Sequence, residues 1–197
     1  MTETTPRIRT LLPKMSTAAR QELRLLGVLS PDGQIQPTPA GPPRRPAASA
    51  FNVSAISAPT VLNEAYAYDK PSSFSRGLTL DIGGFRVLLI SGTASIDDEG
   101  RTVYVGDFAA QCWRTYRNIA TLLSAQGANW HDVVRTTCYL RDIERDYAEF
   151  NRIRTSFFDW MGLDPIPASV GIQMRLCRDD LLIEIEAVAV IPTPAGR

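Results

Sequence analysis

The sequence predicts an α+β domain in which one sheet packs two helices on a single face. Several short stretches alternate apolar and polar residues with a period of two, which is typical of half-buried strands. Two longer stretches carry apolar residues at helical spacing. In chain order these segments give the pattern β-β-β-α-β-α-β-β, which favours a sandwich of a sheet layer and a helical layer.

The N-terminal part of the chain differs in composition from the rest. Ten of the fourteen prolines fall within the first 72 residues. We therefore assign residues 1–64 to a Pro-rich extension and residues 65–197 to the folded domain. Ser16 can cap one short helix in the extension, and Gly27 can end it. The rest of residues 1–60 should be irregular and drape over the domain or a neighbouring subunit.

The domain should begin with three strands. Gly77–Ile82 and Phe85–Gly92 flank the turn Gly83-Gly84, a pattern typical of a hairpin. The continuous apolar run Val87–Ile90 predicts a central strand covered on both faces. A third, short strand is expected at Thr102–Val105.

Two helices and one strand should follow. Asp107 is a good cap for a helix that runs to about Gln126, where Gly127 stops it. The segment Asp132–Leu140 alternates as a strand does. A second helix is predicted from roughly Glu144 to Trp160.

The last apolar stretch, Ala168–Ile191, contains two alternating arms joined by a polar link at Arg178–Leu181, which predicts a hairpin. With Asp179-Asp180 as the turn, Arg175 would lie opposite Glu184, and Gln173 opposite Glu186. Each arm should place one face in the core, and these faces consist of Val170, Ile172, Met174 and Leu176 in the first arm and Ile183, Ile185, Ala187 and Ala189 in the second.

The other face of this predicted hairpin carries a carboxylate, a guanidinium and a thiol, from Glu184, Arg175 and Cys177. One interpretation is an exposed cross-strand ion pair, which contributes less than about 1 kcal/mol. The other is a lined pocket in which Glu184 transfers protons. The pattern alone does not separate the two. Because a mixed sheet face often meets another subunit, we expect a closed symmetric oligomer.

Composition excludes several classes of function. A formal net charge of zero gives no electrostatic case for nucleic acid or an anionic membrane surface. No apolar run approaches the roughly 18 residues of a membrane span, and the N-terminus lacks a signal-peptide pattern. Three cysteines within apolar segments predict free core thiols in a reducing cytoplasm. One histidine, His131, and no Cys-x-x-Cys motif argue against a metal site.

Residues 70–192 resemble the Rid (YjgF-like) family, which has a chorismate-mutase-like fold with one mixed sheet. The resemblance implies a homotrimer with ligand clefts between neighbouring subunits, and it places the Glu184 face in a cleft. The segments that carry it are Phe74–Ser75, Val87–Gly92, Ser95–Asp97, Gln111–Asn118, Gly127–Trp130, Val133–Asp142, Phe150–Asn151, Phe157–Phe158 and Ile183–Ala187.

One departure from this family concerns substrate binding. Its imine-hydrolysing members carry an arginine shortly after the proline that opens the penultimate strand, and this arginine binds the substrate carboxylate. The corresponding position here is Ala168 or Ser169. Neither side chain can bind a carboxylate bidentately.

A narrower resemblance is to the chorismatases, which are related to the Rid family. It rests on Thr93–Ile96 and Leu176–Glu186. In those enzymes a glutamate of the Glu-Ile-Glu pair protonates an enol ether, and a cysteine seven residues earlier lines the site. Cys177 and Glu184 have that spacing. Chorismatases contain two such domains in one chain, whereas this chain has one.

These observations predict a cytoplasmic, trimeric, Rid-like enzyme that needs no metal or organic cofactor and acts on a small molecule. Glu184 would be the general acid or base on a conjugated or enolic substrate, in a cyclisation, elimination or hydrolysis of secondary metabolism. One alternative is an imine or enamine deaminase anchored by another arginine, such as Arg76 or Arg175, and another is a non-catalytic metabolite-binding protein. Neutral charge and a single histidine argue against a ribonuclease. The candidate substrate-binding residues are Arg175, Cys177, Phe74, Ser91, Gly92, Thr93 and Tyr139.

Overall fold

The computed structural model describes residues 12–14, 16–25, 28–36, 51–59, 62–68 and 71–192. It divides into two units, Met1–Ala48 and Ser49–Arg197. The first unit contains helix α1 (Thr17–Leu25), within the segment where the sequence predicts a helix. Much of the remaining predicted extension, including residues 1–11 and 37–50, lies outside the described residues.

The second unit is a six-stranded mixed sheet with two long helices. The strand order is β1-β2-β3-β6-β4-β5, and every neighbouring pair is antiparallel except β4 and β5. The elements are β1 (Phe51–Ala55), β2 (Gly77–Ile82), β3 (Phe85–Ala94), α2 (Phe108–Ser124), β4 (Val133–Leu140), α3 (Ile143–Met161), β5 (Ala168–Gln173) and β6 (Ile183–Pro192).

Helices α2 and α3 cover one face of the sheet, as predicted. Asp107 caps α2 by accepting a hydrogen bond from the backbone N–H of Ala110 at 2.9 Å. Gly162, in the left-handed region at φ 65°, ends α3. The core between the layers contains Leu88, Ile90, Ile119, Leu123, Phe150, Phe158, Ile183, Ile185, Ala187 and Ala189, among others.

The predicted hairpin between the last two strands is wrong. β5 lies at the sheet edge, parallel to β4, whereas β6 lies in the centre between β3 and β4. Helix α3 forms the crossover that a parallel β4–β5 pair requires. Alternation identifies the two faces of a strand but not the neighbour with which it pairs. The predicted opposition of Arg175 with Glu184, and of Gln173 with Glu186, therefore does not occur.

The face assignment is correct for β6 and wrong for β5. The four predicted core residues of β6 are buried and Glu186 is exposed. In β5 the predicted core face instead lies on the open side of the sheet, away from the helices, where Val170 and Ile172 are 37% and 41% exposed. The same open side leaves Leu89 40% exposed, so β3 is not covered on both faces within this chain. Met174, past the end of β5, is exposed as well, and only Leu176 of that arm is buried.

Two further assignments differ from the sequence prediction. β1, in residues assigned to the extension, pairs with β2, and the nearby Ile56 and Leu62 are fully buried in the core. The predicted strand at Thr102–Val105 is absent from the described sheet, and a single bridge joins Thr102 to Ile96. None of the helices that the structure describes is both long enough and apolar enough to pass through a membrane.

Candidate functional site

A cleft of about 420 Å³ opens where β3 ends beside the start of β6. One wall comes from the segment that precedes β2, the floor from the end of β3, and the opposite wall from the loop between β5 and β6. The lining residues are Ala65, Tyr68, Ser72, Phe74, Arg76, Ser91, Gly92, Ala94, Ile96, Cys177, Arg178, Leu181 and Glu184.

A β-bulge forms the floor of the cleft. Ile90 pairs with Ala187 and Thr93 with Ile185, so β3 carries one more residue than β6 across this interval. Gly92 lies in the bulge, directly beneath Glu184. A Cβ atom added to Gly92 would lie 2.0 Å from Oε1 of Glu184. The carboxylate therefore occupies space that only glycine leaves open.

Glu184 is half-buried and faces the cleft. Among the described residues, its carboxylate makes no ion pair, and no hydrogen bond to it is found. Burial raises the pKa of Glu184 above its usual value of 4.5, and the neighbouring charge of Glu186 raises it further, while Arg178 and Arg76 lower it. The group can therefore hold or release a proton closer to neutral pH than an exposed glutamate can.

Arg76 is the most deeply buried charged residue of the cleft, at 3% exposed. Its guanidinium carbon lies 5.1 Å from the ring centroids of both Tyr68 and Phe74, within cation–π range. Nε donates to the backbone carbonyl of Asn63 at 3.1 Å, and Nη2 donates to the hydroxyl of Tyr68. Burial lowers the pKa of Arg76, while Tyr68 and Glu64 raise it. The guanidinium is thus held rigidly at the cleft wall.

Arg178 supplies a second guanidinium from the opposite wall. Its Nη1 donates to the backbone carbonyl of Gly100. Gly100, at φ 78°, packs so closely under the ring of Tyr68 that an added Cβ would lie 2.5 Å from the ring carbons. The two walls therefore meet at Gly100, between Tyr68 and Arg178.

The loop that carries Arg178 is fixed through its backbone. Arg141 donates to two of its carbonyl oxygens, those of Arg178 and Leu181. The fully buried amide of Gln111 donates to the carbonyl of Asp180 at 2.8 Å and accepts from the backbone N–H of Leu182 at 2.8 Å. The path of this loop thus depends on side chains from α2 and from the end of β4.

Five of the predicted site residues line this one cleft, namely Glu184, Cys177, Phe74, Ser91 and Gly92. Ser91 also helps to hold the cleft wall, since its hydroxyl donates to the carbonyl of Ser75 at 2.8 Å. The predicted burial of all three cysteines is wrong for Cys177, which is exposed, whereas Cys112 and Cys138 are buried.

The other three predicted residues do not line the cleft. Thr93 is 1% exposed and its hydroxyl donates to the carbonyl of Ser91. Tyr139 donates to Oε2 of Glu186 at 2.9 Å. Arg175 has an 82% exposed side chain that reaches Asp179 at 3.4 Å. Its placement opposite Glu184 depended on the hairpin that does not form.

Sequence reasoning did not assign Arg178, Tyr68 or Leu181 to the site, and it weighed Arg76 only as an alternative anchor. Arg178 and Leu181 lie in the link interpreted as a turn, where no periodicity marks a side chain as facing inward. Tyr68 directly follows the 3₁₀ segment Ala65–Ala67 in an extended conformation, and no pattern in the sequence marks it.

Ser169, one of the two positions where the family arginine was expected, points away from this cleft. Its hydroxyl accepts hydrogen bonds from Thr136 at 2.9 Å and from Nη1 of Arg154 at 3.3 Å. Within the described ranges, no cluster of three or more histidine, cysteine, aspartate or glutamate residues is arranged to hold a metal ion.

The family model described as "Endoribonuclease L-PSP" matches residues 72–191. A RutC family protein of Pyrococcus abyssi is 33% identical over 110 residues, which cover 56% of this chain and 81% of that protein. The 3-aminoacrylate deaminase RutC of Acinetobacter baylyi is 33% identical over 103 residues, which cover 52% of this chain and 78% of that protein.

Solved structures show the same fold. The YjgF gene product of E. coli is 25% identical with a TM-score of 0.56, over 70% of this chain and 98% of that one. TdcF of E. coli, solved with bound serine, is 23% identical with a TM-score of 0.53, over 66% of this chain and 98% of that one.

Proposed function

The chain belongs to the endoribonuclease L-PSP family, which is the Rid (YjgF-like) family predicted from its sequence, and from that premise we propose that it is an imine or enamine deaminase acting on small molecules. The observation that carries the proposal is the carboxylate of Glu184, which is half-buried over the bare backbone of Gly92 and has no partner within the part of the chain that the structure describes. The name of the Acinetobacter relative supports this chemistry.

The proposed reaction is the hydrolysis of a carbon–nitrogen bond. Protonated Glu184 gives its proton to the carbon of an enamine, which becomes an iminium ion. The resulting carboxylate then takes a proton from the water that attacks the iminium carbon. Glu184, now protonated again, gives its proton to the amine nitrogen of the carbinolamine and takes the hydroxyl proton as the carbon–nitrogen bond breaks, so that one enamine and one water give one carbonyl compound and one ammonia. A single group that exchanges a proton near neutral pH suffices for each of these transfers.

This proposal reverses the order of the sequence-based hypotheses. Chorismatase-like cyclisation or hydrolysis in secondary metabolism was the main interpretation and deamination its alternative, but the relatives favour deamination. Although the family name refers to a ribonuclease, the net charge of zero gives no electrostatic support for RNA binding.

We propose in addition that the active form is a homotrimer. On the open side of the sheet the neighbouring strands β1, β2 and β3 expose Val53, Leu78 and Leu89, and the edge strand β5, beyond β6 and β4, exposes Val170 and Ile172, each between 37% and 47% exposed. Exposed apolar patches of this kind mark an interaction site. Light scattering at micromolar concentration should give three times the mass of one chain, and a monomeric mass would exclude this assembly.

The function is tested by ammonia release from 2-aminoacrylate and 3-aminoacrylate, each generated in situ. The protein should release ammonia faster than the buffer does. Boiled protein provides the control. If both substrates decay at the buffer rate with active protein present, deamination of short enamines is excluded, and the metabolite-binding alternative is favoured.

A further inference from the structure

The cleft contains two guanidinium groups and one carboxylate that do not neutralise one another. Within the described residues, no ion pair joins Glu184 to Arg76 or to Arg178. All three side chains nevertheless line the same space. Charged groups that face a common cleft without pairing leave room for a charged ligand between them.

Arg178 has side-chain N–H groups that are not hydrogen-bonded to any described residue. The only hydrogen bond of its side chain among the described residues is from Nη1 to the carbonyl of Gly100, so Nε and Nη2 remain available as adjacent donors. Arg141 holds the backbone of Arg178 in place by donating to its carbonyl. A fixed guanidinium with neighbouring free N–H groups matches the two oxygens of a carboxylate.

Arg76 adds positive charge on the opposite wall. Its guanidinium has lost most of its contact with water, and the carboxylate of Glu64 accepts from the backbone N–H of Arg76 at 3.3 Å rather than from its side chain. The rings of Tyr68 and Phe74 hold it in position. A desolvated cation to which no described carboxylate is paired favours an anion nearby.

We propose that Arg178, assisted by the charge of Arg76, binds the carboxylate of the substrate and determines the specificity of this cleft. The substrate then spans from the arginines to Glu184, with its carbon–nitrogen bond at the glutamate. A second carboxylate would lie beside Glu184 and be repelled, so the site selects single carboxylates. The assignment of the reacting end rests on the proposed function, whereas carboxylate binding does not require turnover.

The test is the binding of pyruvate and of its uncharged amide, pyruvamide, to the full chain, followed by calorimetry or ligand-observed NMR. The wild-type protein should bind pyruvate more tightly than pyruvamide. R178M should weaken pyruvate binding about tenfold or more, because hydrogen bonds between charged groups are lost. Pyruvamide binding should hardly change. The pyruvate affinity of R178K should lie between those of the wild type and R178M, because lysine retains the charge and a donor for Gly100 but not the planar arrangement of donors.

R175M is the matched control, since Arg175 is a near neighbour in sequence with an exposed side chain outside the cleft. It should bind pyruvate as the wild type does. Unchanged pyruvate affinity in both R178M and R178K would overturn the inference, and so would an equal loss in R175M. Absence of ammonia release alongside Arg178-dependent pyruvate binding would defeat the proposed deaminase but support this anchor.

Discussion

Glu184 and Glu186 lie two residues apart on the same face of β6, yet their surroundings differ. Glu184 is half-buried in the cleft, and no partner for its carboxylate is found among the described residues. Glu186 is exposed and accepts a hydrogen bond from Tyr139 at 2.9 Å. Residue type, strand and face are the same, so the difference comes from the neighbouring elements.

The neighbours of β6 differ at these two positions. On one side, β4 places Tyr139 opposite Glu184 in the backbone register, but its hydroxyl reaches Glu186. On the other side, the bulge of β3 places Gly92 beneath Glu184. The carboxylate of Glu184 is thus left open to the cleft, whereas that of Glu186 is occupied by Tyr139.

The comparison is tested most directly by removing each charge in turn. E184Q should lower turnover of an enamine substrate by about 10²–10⁴-fold, because the amide cannot exchange a proton near neutral pH. E186Q should change turnover by only a few-fold, since the amide still accepts from Tyr139. Steady-state ammonia release by both variants provides the measurement. Comparable losses in the two would show that the glutamates act as a unit and that the distinction is incorrect.

A smaller effect should follow from filling the space under Glu184. G92A places a Cβ 2.0 Å from Oε1 of Glu184, so the carboxylate must move by about an ångström. Turnover should fall about 10- to 100-fold, as expected for misplacement of a reacting group on this scale. The fold should persist, because Gly92 is not in the left-handed region.

G171A is the matched control for this variant. Gly171 also lies in a strand, and its added Cβ would meet only the ring of Tyr147, at an ordinary 3.5 Å. Turnover in G171A should remain within about twofold of the wild type. A G92A enzyme with wild-type turnover would show that the position of the carboxylate over the bulge is not critical.

The smallest expected effect is on the pH dependence of stability. Because burial raises the pKa of Glu184, the folded state binds its proton more tightly than the unfolded chain does. From the usual pKa of 4.5 up to the raised value, this group therefore lowers the free energy of unfolding as the pH increases. E184Q should gain stability relative to the wild type over that window.

Thermal melts of both proteins between about pH 4 and pH 8 measure this difference, since the other carboxylates cancel in the comparison. In E186Q the loss of stability with pH should be smaller, because the charge of Glu186 is the second cause of the raised pKa. A difference in stability between E184Q and wild type that does not change with pH would mean that Glu184 has the same pKa in the folded and unfolded states.

Much of this arrangement followed from the sequence because it depends on local pattern. Alternation identified the buried face of β6 and placed Glu184 on the other, and Asp107 marked the start of α2. These features require no knowledge of which strands are neighbours.

The predictions that are wrong or missing concern contacts between segments far apart in the sequence. The two arms of the last apolar stretch have the pattern of a hairpin, but β5 pairs with β4 through the α3 crossover. The sequence does not mark Arg178 as a site residue, because loop residues have no periodicity and the backbone of this loop is oriented by contacts from distant segments, including those of Arg141 and Gln111. β1 is a five-residue strand that follows a Pro-rich segment. Its pairing with β2, which local sequence does not show, assigns it to the domain rather than to the extension.

The amide of Gln111 has a consequence for how this protein can diversify. It fixes the loop between β5 and β6 through main-chain groups alone, those of Asp180 and Leu182. A side chain of the loop that faces the cleft, such as that of Cys177, can therefore be exchanged without loss of these two contacts. Glu184 and the loop residues proposed to recognise the substrate thus lie on separate elements, so substitutions at a few loop positions could change the ligand while the scaffold stays the same.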